Sequence, residues 1–315
     1  MIRLEAIIPD YLDGLRCDHV AVKMFSDFSR SRLQNWINDG SLLVDGARLR
    51  PKDPVFFGSN MVLSAELEDQ ERWEPENIHI VRIYEDAHLV VIDKPVGLVV
   101  HPGAGNPNGT LLNALLYHVP EVSKVPRAGI VHRIDKDTSG LLVVAKTIEA
   151  QTSLVQQLQS RTVKREYEAV TDGLMTAGGT VDEPIGRHSR NRLKMAVSAS
   201  GKAAITHYRV VEKFASNTHV RVQLETGRTH QIRVHMAHKK FPLVGDSLYG
   251  GRVRVPKGVS IELREYVRDF PRQALHAAKL ELNHPDSGQI MEWKSPLPED
   301  MKTLLHMLKA EHTKL

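Results

Sequence analysis

The sequence predicts an α+β protein, in which a larger domain on a mixed, largely antiparallel sheet follows a small N-terminal α/β unit. Three observations carry this reading. A chain of 315 residues exceeds what one hydrophobic core usually organises. Short β-branched segments alternate with too few helical patterns for repeated βαβ units. An acidic, proline-containing stretch also breaks the chain between residues 68 and 80. The expected division is therefore 1–72 for the small unit (core 13–67), 73–80 for an acidic linker and 81–315 for the larger domain.

In the small unit, Ser29 is a candidate N-cap, Leu33, Trp36 and Ile37 then share one helical face, and Gly40 stops the helix. The opposite face carries Arg30, Arg32, Gln34 and Asn35. Ser41–Val44 reads as a strand entering an Asp45-Gly46 hairpin turn. A helix pair with a cationic face beside a hairpin can lie along a phosphate backbone. In the larger domain, Val81–Tyr84 and Leu89–Asp93 read as strands, Thr110 caps a helix with Leu111, Leu112, Leu115 and Leu116 on one side, and Leu141–Ala145 reads as a buried strand. A helix over Glu149–Gln159 precedes strands near Tyr167–Thr171, Ala204–Val211, His219–Glu225 and Leu280–Asn283. Pro298 opens a final amphipathic helix with Met301, Leu304, Leu305 and Leu308 on one face.

Composition narrows the function. The lone Cys17 excludes an intramolecular disulfide framework and a thiolate zinc cluster. No apolar run approaches membrane-spanning length and residues 1–5 lack a signal-peptide pattern, so the expectation is a cytoplasmic protein. Net charge is +4, a weak bias toward polyanions. Its distribution says more: basic residues cluster at Arg30/Arg32, Arg161/Lys164/Arg165, Arg187/Arg190/Arg192/Lys194 and Arg252/Arg254/Lys257, which favours nucleic acid.

The chemistry concentrates in four segments. Val131–Gly140 sets Asp135 among cations, before a Thr138-Ser139-Gly140 turn and the apolar run. Neighbouring cations favour the ionised carboxylate. Such an aspartate can serve as nucleophile, base or metal ligand. Asp93-Lys94-Pro95-Val96-Gly97 places a lysine and a rigid turn at a strand end, as support for the active-site floor, with His101-Pro102-Gly103 beyond it. Lys164–Ala169 puts Tyr167 on a strand, and Gly227–His235 packs two arginines and two histidines into nine residues. His230, His235 and His238 match no zinc spacing, and Gly103 and Gly105 lack the Gly-Lys-Ser/Thr of a phosphate loop. Metal ligation is not expected.

Taken together, His132-Arg133-Ile134-Asp135, Lys164–Ala169, Thr226–His238 and Val99–Pro107 resemble the RluA group of pseudouridine synthases along nearly the whole chain. The front unit resembles the S4-type RNA-binding domain in Ser29–Arg32 and Leu42–Gly46, departing from it by Cys17 where leucine is usual. The resemblance implies isomerisation of uridine to pseudouridine in RNA with no cofactor. It implies that Asp135 is the catalytic carboxylate, that Arg233 pairs with it, and that Tyr167 stacks on the target uracil and assists proton transfer. Arg133 would fill the place of the flipped base, and Leu275 would be an apolar wall. His132, Arg228, Lys94, Arg30 and Arg32 complete the expected substrate- or RNA-contacting set.

The same resemblance implies large-subunit ribosomal RNA or the assembling 50S particle as partner, with the helix 69 stem-loop as target; a monomer is the expected working form. Other ribosomal or transfer RNA sites, a non-catalytic assembly factor and a metal-dependent hydrolase are the alternatives. The motif residues name the reaction, and specificity is expected in the S4-like unit and the basic loops.

Overall fold

The computed structural model describes residues 2–25, 28, 30–65, 73–103, 105–191, 193–250 and 259–313, the side chain of Ser31 excepted. The Ser29 cap, Arg192, the acidic residues between 66 and 71, and the Arg252/Arg254/Lys257 cluster lie outside the described residues. The chain divides into two compact units, Met1–Arg72 and Trp73–Leu315.

In the smaller unit, β1 (Ile2–Ile7), β2 (Leu42–Val44) and β3 (Asn60–Ala65) form an antiparallel sheet in the order β1-β3-β2. Helices α1 (Cys17–Met24) and α2 (Arg30–Asp39) pack with it through Val20, Ala21, Leu33, Ile37, Met61 and Leu63. The expected stripe of Leu33, Trp36 and Ile37 is buried. At the hairpin, Asp45 and Gly46 both take positive φ (+50° and +75°), as a type I′ turn demands. Cys17 is a core residue, and burial pushes its thiol up to about 11, which makes it an unreactive apolar filler.

The cationic face of α2 is less free than its pattern suggests. Asp18 has no exposed side-chain surface. It accepts hydrogen bonds from Arg16 (Nε and Nη2, both 3.0 Å), Arg30 Nη2 (2.7 Å) and Gln34 Nε2 (2.7 Å). Burial disfavours the charge, but the bonds from Arg30, Arg16 and Gln34 outweigh it and hold the Asp18 carboxyl far below the usual carboxylate range. Arg30 is thus first a partner of an interior carboxylate. Arg32 lies over the Trp36 ring at 5.7 Å.

The larger unit is built on one mixed sheet. Its strands are β4 (Val81–Glu85), β5 (Leu89–Lys94), β6 (Ser139–Ala145), β7 (Lys164–Asp172), β8 (Gly179–Asp182), β11 (Ile205–Lys213), β12 (Asn217–Leu224), β13 (Leu275–Asn283) and β14 (Ile290–Lys294). The order is β4-β5-β6-β13-β7-β12-β11-β8, with β14 on β13. A side ribbon pairs β9 (Ile185–Arg187) with β10 (Met195–Val197). Among the described residues, the strand pairings are antiparallel except β13 with β6. There Gly140, at φ +109°, lets the strands meet, because a Cβ on it would stand 2.3 Å from the Ala277 carbonyl oxygen.

Every residue of β6 is buried. Leu142 and Val144 share a core with α3 (Leu111–His118), while Leu141, Val143 and Ala145 face α4 (Ile148–Gln159). Two covered faces explain the unbroken apolar run. Each such valine or leucine contributes about 1.5–3 kcal/mol by burial. Helices α6 (Ile261–Arg268) and α7 (Glu299–His312) enclose a further core with Val170 and Ala274, and α5 (Gln231–His238) follows β12.

Residues 73–80 are not a free linker. Asn113 Nδ2 donates to the Glu74 carbonyl, the Glu76 N–H donates to the Asn113 carbonyl, and Trp73, Ile78 and Ile80 join the core around α3. Apolar residues interspersed among the acidic ones pin this segment to the catalytic unit. Among the described residues, no helix is long and apolar enough to cross a membrane.

Candidate active site

Asp135 stands on a turn that leads into β6, and the turn is held at successive positions. The Thr138 N–H donates to the Asp135 carbonyl at 3.1 Å. Lys94 Nζ (2.9 Å) and the Gly97 N–H (3.0 Å) both donate to the Lys136 carbonyl. Arg272 Nη1 reaches the Asp137 carbonyl at 3.3 Å, and Gln273 Nε2 donates to Thr138 Oγ1 at 3.0 Å. Arg272 is itself fixed by Asp300 at the start of α7, through bonds of 2.6 and 2.8 Å. The turn is a preorganised element, because its polar groups are satisfied by buried side chains.

Lys94 therefore requires a correction. It is fully buried and spends its three hydrogens on the carbonyls of Pro95, Leu98 and Lys136 (2.7–3.0 Å). Burial lowers its pKa to about 7, against the opposing pull of Asp137 and Asp135. It supports the floor of the site, and its three hydrogens are all taken by backbone carbonyls.

Sheet order brings the other residues to the turn. Strands β6, β13 and β7 are successive neighbours, so Asp135, Leu275 and Tyr167 line one pocket. Tyr167 is buried, and burial raises the pKa of its hydroxyl. Leu275 is a buried wall residue, and Arg133 and Arg228 stand at the exposed edge.

The cation that pairs with Asp135 is not a sequence neighbour. Arg233, from α5, donates from Nη1 to Asp135 Oδ2 at 3.0 Å. Its Nε and Nη2 meet Asp246 at 2.7 and 2.9 Å. Burial works against the guanidinium charge, yet Asp246 and then Asp135 raise its pKa above the ordinary arginine range. Asp246 has no exposed side-chain surface and also accepts the Leu248 and Tyr249 N–H groups. One buried carboxylate thus aims a charged fork, and the remaining tine meets Asp135.

Beside this pocket lies a cleft of about 500 Å³ that shares Arg133, Arg165, Gly227 and Arg228 with it. The cleft also takes in Arg127, Arg161, His101 and His132. Burial lowers the pKa of His132 to about 3 and that of His101 to about 4. His132 Nε2 accepts the Val143 N–H at 3.1 Å. His132 is accordingly a neutral hinge to β6, not a phosphate-binding cation.

Four residues of the site received no site role from the sequence: Arg165 and His230, which line the pocket, and Asp246 and Tyr249, which stand behind Arg233 and His230. Asp246 and Tyr249 fall in a stretch with no charge cluster or periodicity to mark them. Arg165 did show as part of a basic run, but its side chain turns inward and its burial lowers its pKa. The histidines of α5 do not converge. His235 bonds Thr206 and the Glu183 carbonyl, whereas His230 bonds Tyr249. Among the described residues, no three His, Cys, Asp or Glu side chains are grouped to hold a metal ion.

The likenesses to known proteins agree with this geometry. Residues 88–238 match the model of the RNA pseudouridylate synthase family. The chain is 59% identical to ribosomal large subunit pseudouridine synthase D of Pseudomonas aeruginosa over 99% of its own length and 97% of that protein's. It is 54% identical to the protein of the same name from Escherichia coli K12, covering 98% and 95%. Among solved structures, human RNA pseudouridylate synthase domain containing 4 superposes with a TM-score of 0.56 at 27% identity, covering 72% of this chain and 92% of that one. With this similarity along almost its entire length and an Asp-Arg pair beside a tyrosine in its pocket, the chain belongs to the RNA pseudouridylate synthases, isomerases that convert uridine in RNA to pseudouridine.

Proposed function

We propose that this synthase acts on uridines of the helix 69 stem-loop of large-subunit ribosomal RNA, with Asp135 as its catalytic carboxylate. The observation that carries the catalytic assignment is the 3.0 Å Arg233–Asp135 bond inside a pocket walled by Tyr167 and Leu275. The names of the relatives support the ribosomal target. The reaction breaks the N1–C1′ bond, turns the uracil and rejoins it through C5. One carboxylate acting on the ribose, at C1′ or at C2′, starts that sequence.

In this reading Arg233 orients Asp135 and balances its charge, while Tyr167 retains the detached uracil by stacking and assists proton transfer. The target nucleotide leaves its helix at a cost of a few kcal/mol, and Arg133, exposed at the rim, offsets part of this by occupying the gap. Arg228 and the cleft arginines bind the flanking backbone. The smaller unit serves as an S4-type RNA-binding domain through Arg30 and Arg32. The enzyme works as a monomer in the cytoplasm without a cofactor.

Pseudouridine mapping of ribosomal RNA tests the proposal. A strain lacking the gene should lose specific helix 69 pseudouridines, and wild-type protein should restore them. Asp135→Asn should not, while binding RNA with near-normal affinity. Restoration by Asp135→Asn would refute the catalytic role, and unchanged helix 69 in the deletion strain would refute the target.

A further inference from the structure

A histidine in the pocket is held in orientation by a hydrogen bond between its Nδ1 and a neighbouring tyrosine. The Met195 N–H donates to Tyr249 Oη at 2.8 Å. Tyr249 Oη lies 2.7 Å from His230 Nδ1, and with Oη already accepting from Met195, the arrangement that uses the hydroxyl hydrogen has Tyr249 donating to Nδ1. With Nδ1 accepting, the ring proton of neutral His230 sits on Nε2. Burial favours that neutral ring, lowering the histidine pKa in spite of nearby Asp135. His230 also holds a left-handed backbone, φ +57° and ψ +24°, which is uncommon for a residue with a side chain.

His230 Nε2 lies 3.9 Å from Asp135 Oδ1. That distance is too long for a hydrogen bond between them. It suits one intervening oxygen. Two bonds of about 2.8 Å meeting at an angle of about 90° span it. The oxygen must accept from Nε2–H and donate to the carboxylate, which a water molecule does in the free enzyme and a substrate hydroxyl does in its place. In RNA that chemistry belongs to the ribose 2′-OH.

We propose that His230 and Asp135 clamp the 2′-hydroxyl of the target nucleotide, so that His230 contacts substrate directly and makes the enzyme ribose-specific. Tyr249 is its positioning residue. The inference rests on Asp135 acting at the ribose: the clamp holds C1′ and C2′ against the carboxylate while the uracil lies against Tyr167. It assigns the Asp135 oxygen that Arg233 leaves free, since Arg233 occupies Oδ2.

A cycle of enzyme and substrate changes tests it. Single-turnover rates and affinities would be measured on a large-subunit RNA stem-loop with either uridine or 2′-deoxyuridine at the modified position. His230→Asn keeps a residue tolerant of the left-handed backbone but withdraws the donor. His230→Gln restores an N–H near the Nε2 position. For wild type, the 2′-hydroxyl should favour the ribo substrate by roughly 10- to 100-fold beyond its preference in His230→Asn, the range of one hydrogen bond in a charged network. His230→Gln should recover part of that preference, and Tyr249→Phe should lose part of it.

An equal ribo-to-deoxy ratio in wild type and His230→Asn overturns the clamp, even when the variant is slow on both substrates. Should the deoxy substrate not turn over, the same ratio read from affinities decides. Loss of all activity in Asp135→Asn alongside that equal ratio would leave the catalytic assignment standing and remove only the clamp.

Discussion

Lys94, Arg233 and Arg272 lie beneath the Asp135 turn with their donors spent on protein carbonyls and carboxylates. Arg127 and Arg133, at the mouth of the adjoining cleft, make no side-chain hydrogen bond or ion pair among the described residues. The two regions use the same residue types for opposite ends. Below the turn, each cation is buried and has neighbours for its hydrogens, so it fixes geometry and offers nothing to a ligand. At the rim, exposed guanidinium groups keep their donors available, as recognition of a phosphate chain requires. A basic residue near an active site is therefore classified by where its hydrogens go, not by its charge.

The comparison breaks most visibly at the floor. Lys94→Met should lower the single-turnover rate by about 100-fold while leaving RNA affinity within a few-fold, because it frees the Lys136 carbonyl and lets the turn shift. Quench-flow on saturating RNA beside an affinity titration would check it. A loss of affinity with an unchanged rate would put Lys94 in the rim class instead.

Arg30 offers an intermediate case, since it serves the interior charge of Asp18. Asp18→Asn should destabilise the full-length protein by about 1–3 kcal/mol at neutral pH. The sign of its pH dependence follows from the lowered folded pKa. The native state binds fewer protons than the unfolded state, so the stabilisation is present above about pH 4 and fades as pH falls below that. Thermal unfolding of both proteins between pH 7 and pH 3 should show their melting temperatures converging on the acid side. A constant gap would mean that Asp18 acts through shape and not charge.

At the rim the smallest effect is expected. Arg127→Ala should weaken RNA binding by several-fold and reduce the slope of log affinity against log salt by about 0.7, the share of one contact to single-stranded phosphate. Titrations at three or more salt concentrations would test this. An unchanged slope would remove Arg127 from the phosphate-binding set.

Much of this was legible before any coordinates. Runs such as Leu141–Ala145 and the Leu33/Trp36/Ile37 stripe carry their own periodicity, and Asp45-Gly46 carries its own turn geometry. These features depend on a few consecutive residues, so a linear reading captures them. The parallel meeting of β6 with β13 was not visible, because it depends on Gly140 facing a carbonyl of a strand far along the chain. Residues 73–80 misled for a related reason: their acidity resembles a linker, and only the core around α3 reveals their packing.

The site divides in the same way. Asp135, Tyr167, Arg233 and Leu275 could be named from their motifs, which record what chemistry is available. Tertiary structure alone decided which hydrogens are already taken. Asp135 receives Arg233 from 98 residues away, and Arg233 is aimed by an Asp246 that no pattern marks. Identity and local period are properties of the chain, whereas the satisfaction of a donor depends on which distant acceptors the fold buries beside it.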